Sequence, residues 1–131
     1  MPTQTILVAD DDLSLLQAMR IRLQAQGFTV ITAQDAYQAL EKARQAEPDV
    51  FVLDINMPAG NGFSVQERID KIEELAGTPV IYVTGASPEL VDRDALNHGA
   101  YAVLHKPFDA STLVDTVLEA LGYLRHPEPV G

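Results

Sequence analysis

Short runs of apolar residues recur along the chain, separated by stretches in which apolar residues return every three or four positions. The runs are rich in β-branched and aromatic residues and cover 5–9, 28–33, 50–53, 80–83 and 101–104. Runs of this length and composition predict strands that are buried on both faces of a sheet. The third run leads directly into Asp54, which places a carboxylate at the end of a buried strand.

The stretches between these runs predict helices, because their apolar residues fall on one helical face. The first follows Asp10–Asp12, places Leu13, Leu16, Met19 and Leu23 on one side and ends at Gly27; the others cover 35–46, 64–75, 88–99 and 109–121. Asp11 or Asp12, Ser87 and Asp109 are the expected helix caps. Phe108 is expected to pack on Leu113 as a hydrophobic staple.

Five strands that alternate with five helices predict an α/β fold, in which helices cover both faces of a parallel sheet. We therefore expect a doubly wound (βα)5 domain over residues 1–121. Residues 122–131, with Pro127 and Pro129, are expected to form a short C-terminal tail.

Composition narrows the possible functions. The 131 residues suit one domain, and the absence of cysteine excludes disulfides, thiolate metal sites and cysteine nucleophiles. A formal net charge of -10 argues against direct binding to nucleic acid or to an anionic membrane. No apolar run approaches the roughly 20 residues of a membrane span, and the N-terminus lacks the basic segment and apolar core of a signal peptide. We therefore expect a cytoplasmic protein.

Polar side chains follow four of the predicted strands and should converge, because the carboxyl ends of parallel strands share one edge of the sheet. These residues are Asp10, Asp11, Asp54, Thr84 and Lys106. In a sheet of order 2-1-3-4-5, strands one and three are neighbours, which brings the first two acids beside Asp54. A turn marked by Pro58 and Gly60–Gly62 follows Asp54.

Three crowded carboxylates cannot all ionise cheaply at neutral pH, so either some stay protonated or a cation joins them. Oxygen ligands favour Mg²⁺, whereas His105 alone gives poor support for zinc or copper. Thr84 and Lys106 suit phosphoryl oxygens. The inferred chemistry is attack by the Asp54 carboxylate on a phosphoryl group. Each residue also has a plainer possible role. The acidic triplet could simply cap the helix, although a cap needs only one acid. Asp54 could be a solvated turn acid, Thr84 could bond to local backbone, and Lys106 could be an exposed lysine before a turn proline.

Four motifs, each at a strand end, now identify a family. The segments ILVADDD, VFVLDINMP, VTGAS and HKPF occur in this order. Over roughly residues 4–121 the chain resembles a response-regulator receiver domain of bacterial two-component signalling, which has a flavodoxin-like fold. The resemblance implies a phosphoacceptor domain with self-catalysed phosphorylation and dephosphorylation, and not a turnover enzyme.

The resemblance also implies a role for each site residue. Asp54 would be the phosphoacceptor, Asp10, Asp11, Asp54 and the backbone carbonyl of Asn56 would bind Mg²⁺, Thr84 would be the switch hydroxyl, and Lys106 would bind phosphate through a cis bond to Pro107. A histidine kinase or phosphotransfer protein would donate the phosphoryl group. The last two helices and the last strand would contact an output partner, and many relatives form homodimers through this face.

Two positions depart from the family pattern. Val103 stands where receivers usually carry Tyr or Phe, and Gly85 after Thr84 leaves space for a phosphoryl donor. Because of Val103, a degenerate receiver that acts as a scaffold without phosphorylation stays an alternative.

Two other protein classes are rivals that the residues support less well. A flavin-binding module would need a Ser/Thr/Gly-rich loop after strand one. A haloacid-dehalogenase-like phosphatase would need an acid where this chain has Asn56.

Overall fold

Each predicted strand forms part of one parallel sheet. The computed structural model describes residues 3–57, 62–85, 95 and 98–123. The strands are β1 (Thr5–Ala9), β2 (Thr29–Ala33), β3 (Val50–Asp54), β4 (Val80–Thr84) and β5 (Ala102–His105). Their order in the sheet is β2-β1-β3-β4-β5, and every pair is parallel. This order confirms the prediction that strands one and three are neighbours.

Helices follow four of the strands among the described residues. They are α1 (Leu13–Gln24), α2 (Ala36–Ala46), α3 (Gly62–Asp70) and α4 (Ala110–Ala120). Most of the helix predicted over 88–99 lies outside the described residues, as do residues 58–61 of the predicted turn and the predicted tail from residue 124 onward.

The end of one predicted helix and the burial of one helical residue are wrong. Helix α3 ends at Asp70 and not at Leu75. Beyond it, the backbone N–H groups of Ile72 and Leu75 bond to carbonyls three residues earlier, so the chain continues in tighter turns while Leu75 still reaches the core. The second error is Leu13, which is 56% exposed because it begins α1 at the rim of the fold instead of joining the buried stripe.

The structure confirms one predicted helix cap and corrects another. Asp12 caps α1, because its Oδ1 accepts hydrogen bonds from the backbone N–H groups of Ser14 and Leu15. Asp109 occupies the cap position of α4, but its side chain makes no capping hydrogen bond, which corrects the prediction. The choice of Asp12 as the cap leaves Asp10 and Asp11 available for another role.

The core lies on both faces of the sheet, as a doubly wound fold requires. Alternate strand residues pack against α1 and α4 on one face, where Leu113 and Phe108 belong to the same apolar cluster. The other strand residues pack against α2 and α3, in a cluster that contains Phe51 and Tyr82. The loops that leave the carboxyl ends of the strands therefore meet at one edge of a rigid sheet.

None of the helices described here has the length and apolar character that crossing a lipid bilayer requires.

Candidate functional site

The candidate site lies at the edge where β1, β3 and β5 end. Asp10 follows β1, Asp54 is the last residue of β3, and Lys106 follows β5. Main-chain hydrogen bonds fix two of these positions: Asp10 N donates to the Ala33 carbonyl at 3.1 Å, and Lys106 N donates to the Thr84 carbonyl at 2.7 Å. The sheet itself therefore sets where the charged side chains begin.

Three carboxylates converge at this edge, as the sequence predicts. Oxygen atoms of Asp10, Asp11 and Asp54 all lie within 4.8 Å of one another. Asp10 and Asp54 are 0% and 4% exposed, whereas Asp11 is exposed. The group thus has a buried base formed by two acids and a solvent-facing side formed by the third.

Lys106 contacts both buried acids. Its Nζ lies 3.0 Å from Asp10 Oδ2 and 3.4 Å from Asp54 Oδ2. The peptide bond between Lys106 and Pro107 is cis, as the family resemblance predicts. The lysine side chain therefore spans the two strand ends and brings a positive charge to the carboxylates.

The two buried acids have one oxygen fixed and one directed at Lys106. Asp12 N donates to Asp10 Oδ1 at 2.8 Å, and Asn56 N donates to Asp54 Oδ1 at 3.1 Å. Asp10 Oδ2 is buried and accepts no hydrogen bond of good geometry from the described residues, so its contact with Lys106 is a pairing of charges. A buried carboxylate oxygen in this condition is open to a stronger partner.

Burial and the neighbouring charges together shift the pKa values of Asp54 and Lys106. Burial and, after it, the charge of Asp10 raise the pKa of Asp54 to about 6, although the hydrogen bond from the Asn56 N–H and the charge of Lys106 lower it. Burial alone would lower the pKa of Lys106, but the contact with Asp10 and the charges of both acids outweigh it and raise that pKa. Lys106 is therefore a cation at neutral pH, and ionising the Asp54 carboxyl group costs free energy in the folded protein.

The residues at this edge fit a hard divalent cation. The acidic group offers oxygen ligands from two buried acids and one exposed acid, which is the donor set that Mg²⁺ prefers. Asp10 Oδ2, which pairs with the charge of Lys106 but accepts no hydrogen bond among the described residues, gives such an ion a ligand atom. The carbonyl of Asn56 stays a predicted ligand.

Thr84 is the last residue of β4 and lies at the same edge, and Gly85 follows it. Thr84 is 0% exposed, and in the sheet it lies opposite His105. A Cβ built on Gly85 would meet no atom of the described residues within 4 Å, so these residues leave open the space that the sequence suggests beside Thr84. The switch role of Thr84 stays a prediction.

Sequence reasoning missed the residues that support Asp54 from behind. Gly62 approaches so closely that a Cβ on it would lie 2.8 Å from the Asp54 carbonyl oxygen and 3.0 Å from a ring carbon of Tyr82. The Tyr82 hydroxyl bonds to Gln66 Oε1. A tyrosine inside an apolar strand was the available signal, because a buried hydroxyl needs a partner.

Comparison with known proteins gives the same family as the motifs. The family model for the response regulator receiver domain matches residues 6–118. The chain is 34% identical over 112 residues to Protein PilH of Pseudomonas aeruginosa, a match that covers 86% of this chain and 93% of that protein. It is 38% identical over 119 residues to the C4-dicarboxylate transport transcriptional regulatory protein DctD of the same organism, covering 91% of this chain but 25% of DctD.

A solved structure has the same architecture. The chemotaxis response regulator CheY4 of Vibrio cholerae superposes with a TM-score of 0.85 at 33% identity, covering 91% of this chain and 99% of that one. The motifs, the strand order and these matches agree. The chain belongs to the response-regulator receiver family and is a CheY-like receiver domain of the kind that serves two-component signalling.

Proposed function

We propose that this receiver accepts a phosphoryl group on Asp54 from a histidine kinase or a phosphotransfer protein, with Mg²⁺ held by Asp10, Asp11, Asp54 and the Asn56 carbonyl. The observation that carries the proposal is the convergence of the three carboxylates with Lys106 at the end of β3. Plain helix capping does not account for it, because Asp12 alone supplies the cap of α1.

The proposed reaction is an in-line transfer between two nucleophiles. Asp54 Oδ2, the oxygen opposite the one held by Asn56 N, attacks phosphorus and forms the O–P bond of an acyl phosphate. The N–P bond to the donor imidazole breaks, and its electron pair stays on the imidazole nitrogen. Bound Mg²⁺ would supply charge neutralisation for the phosphoryl oxygens.

Lys106 and Thr84 would act on the product. Lys106 is already within 3.4 Å of Asp54 Oδ2, so it is placed to pair with a phosphoryl oxygen formed there. Thr84, at the end of the neighbouring strand, would contribute its hydroxyl to the new oxygens. These contacts would bias the loops after β3 and β4 toward a second arrangement.

The proposal makes the domain a phosphoacceptor and not a turnover enzyme. Its output would be a changed affinity for a protein partner at the surface made by the predicted helix 88–99, β5 and α4, with dimer formation as one form of this change. We also propose that the protein acts in the cytoplasm.

The experiment is intact-mass analysis after incubation with acetyl phosphate and Mg²⁺. Wild-type protein should gain one phosphoryl group, and Asp54→Asn and a chelator-treated sample should gain none. Asp115→Asn is the matched control, since it makes the same acid-to-amide change on an exposed position of α4 and should phosphorylate like wild type. Loss of the adduct in Asp115→Asn as well would remove the assignment to Asp54.

A scaffold that works without phosphorylation is the second candidate, and Val103 is the observation that favours it. Val103 is partly buried beside Tyr82 and cannot act as the aromatic switch of other receivers. Under this alternative, wild-type protein would bind Mg²⁺ in a titration but form no adduct with acetyl phosphate.

A further inference from the structure

A large aromatic ring does occupy the face of the sheet on which Thr84 lies, but on a different strand from the family pattern. Tyr82 and Thr84 are alternate residues of β4, so their side chains leave the sheet on the same face. Tyr82 is 0% exposed and lies directly opposite Val103 of β5. The valine and the tyrosine are thus neighbours, with the bulk on β4.

The ring of Tyr82 is packed against the chain that returns from the phosphoacceptor. Gly62 N donates to the Ile55 carbonyl at 2.9 Å, so Gly62 is held beside the residue that follows Asp54. Gly62 lies between the Asp54 carbonyl and the ring, with no space for even a methyl group. Any shift of the main chain at Asp54 is therefore passed to the ring or opposed by it.

The hydroxyl of Tyr82 joins the same ring to α3. It bonds to Gln66 Oε1 and lies 3.4 Å from the Gly62 carbonyl oxygen. Burial raises the pKa of Tyr82, and the charges of Asp70 and Glu67 raise it further, so the hydroxyl stays protonated as a donor. The first two turns of α3 and the ring are thus one packed unit.

Two aromatic contacts continue from this unit to the surface. Phe63 meets Tyr82 edge-on, with ring centroids 4.9 Å apart and an interplanar angle of 71°. Phe63 also stacks on His98 at 4.5 Å and 16°. His98 Nε2 lies 3.3 Å from Glu67 Oε1, and the side chains of His98 and Glu67 are 30% and 63% exposed. We name Tyr82, Phe63 and His98 the aromatic cluster.

We propose that Tyr82 is a positioning residue of the phosphoacceptor site and that Phe63 carries its displacement to His98, so that the surface made by His98 and Glu67 changes when Asp54 is phosphorylated. This inference rests on the proposed function, because the displacement begins with phosphorylation. In this protein the cluster takes the place of an aromatic residue at Val103.

The positioning role is tested by the rate of adduct formation with acetyl phosphate and Mg²⁺. Tyr82→Leu removes the ring that supports Gly62 and should slow phosphorylation by about tenfold, since small misplacements of reacting groups are costly. Tyr82→Phe keeps the ring and should restore a rate near wild type. Equal rates in wild-type protein and a folded Tyr82→Leu variant would overturn the positioning role.

The coupling is tested by NMR of protein with ¹³C-labelled tyrosine and histidine rings, with the adduct quantified by mass on the same sample. Phosphorylation should move the signals of Tyr82 and His98, identified through Tyr82→Phe and His98→Gln, and leave exposed Tyr37 in place. Phe63→Leu should still form the adduct and shift Tyr82, but should at least halve the shift of His98. Phe28→Leu is the matched control, because Phe28 packs on the opposite face of the sheet.

The outcomes separate the two proposals. An adduct with an unmoved His98 signal, or with the full His98 shift in Phe63→Leu, would overturn the coupling and leave the phosphoacceptor function standing. Absence of an adduct in wild-type protein with Mg²⁺ bound would overturn both.

Discussion

The acceptor edge and the Tyr82–Gln66 pair both bury polar side chains, but they satisfy them to different degrees. At the edge, Asp10 and Asp54 are almost completely buried, and Asp10 Oδ2 has no hydrogen bond among the described residues. Gln66 and Tyr82 are equally buried, at 5% and 0% exposed, yet they are neutral and bond to each other. The two regions differ in charge and in pairing, not in depth.

This difference indicates which region is built for a ligand. A neutral, paired hydroxyl and amide cost little to bury, so the Tyr82–Gln66 pair needs nothing from outside. Two buried acids share one lysine, so one negative charge is not balanced by it. A divalent cation, bound together with a phosphoryl group, would balance this charge. The crowded charges at the edge and the neutral Tyr82–Gln66 pair that packs beneath it are therefore complementary features of one site.

Replacing Lys106 should give the largest effect at the acceptor edge. Lys106→Met removes the charge within 3.4 Å of Asp54 Oδ2, so phosphorylation by acetyl phosphate should slow by about 100-fold, the usual cost of losing one donor to a developing anion. Mg²⁺ affinity should rise in the same variant, because Lys106 no longer competes for Asp10. Stopped-time mass analysis and a calorimetric Mg²⁺ titration measure the two changes.

Opposite signs for these two effects are the informative result. Lys71→Met is the matched control, since Lys71 is exposed beyond the end of α3, and it should alter neither quantity. A Lys106→Met variant that lost Mg²⁺ affinity along with phosphorylation would point instead to collapse of the site.

Asp54→Asn should stabilise the metal-free protein at neutral pH. The pKa of Asp54 is raised from 3.8 to about 6 in the fold, so folding favours the protonated acid. Its contribution to stability is therefore greatest below pH 4, falls as pH rises to about 6 and stays low above that. At pH 7.5 without Mg²⁺, the amide should increase the free energy of unfolding by about 1 to 3 kcal/mol, as measured by urea denaturation.

The pH dependence gives the control for this measurement. The difference between Asp54→Asn and wild type should shrink as the pH is lowered from 7.5 toward 4, and added Mg²⁺ should stabilise wild type more than the variant. A difference that is constant with pH would mean that Asp54 is not costly to ionise.

Most of the fold was predictable because its signals are local. The five apolar runs are confirmed as strands and four of the predicted helices are confirmed among the described residues, since buried parallel strands leave a clear sequence pattern. The order 2-1-3-4-5, which was expected from the flavodoxin-like fold, is confirmed as well. The end of α3 was not predictable in this way. Ile72 and Leu75 continue the helical apolar period, yet they reach the core from tight turns after Asp70, because tertiary packing outweighs helical propensity there.

The candidate site divides along the same line. The convergence of Asp10, Asp54 and Lys106 follows from the rule that parallel strands share one carboxyl edge, and the structure confirms it. The contact of Gly62 with the Tyr82 ring was not foreseen. It joins the start of α3 to β4, two segments that are separated in the sequence, and no periodic pattern of residues signals such a contact. Local patterns locate the charged residues, whereas the support behind them depends on long-range packing.

Separating Tyr82 from Gln66 should give a smaller effect, which falls on stability and leaves the chemistry intact. Tyr82→Phe leaves Gln66 Oε1 buried without its hydroxyl donor. Gln66→Leu leaves the Tyr82 hydroxyl with the Gly62 carbonyl oxygen, 3.4 Å away, as its acceptor among the described residues. Each change should lower the free energy of unfolding by about 1 to 2 kcal/mol in urea denaturation. Tyr82→Phe should still phosphorylate within about twofold of wild type, since it keeps the ring on which Gly62 rests.

The double variant decides whether the pair is a satisfied unit. Tyr82→Phe combined with Gln66→Leu removes donor and acceptor together, so it should cost clearly less than the sum of the two single changes. Additive losses would mean that each side chain has another partner and that the contrast with the acceptor edge is wrong. If the two losses in stability are coupled and phosphorylation is retained, Tyr82 and Gln66 support Asp54 by packing and do not alter its charge interactions.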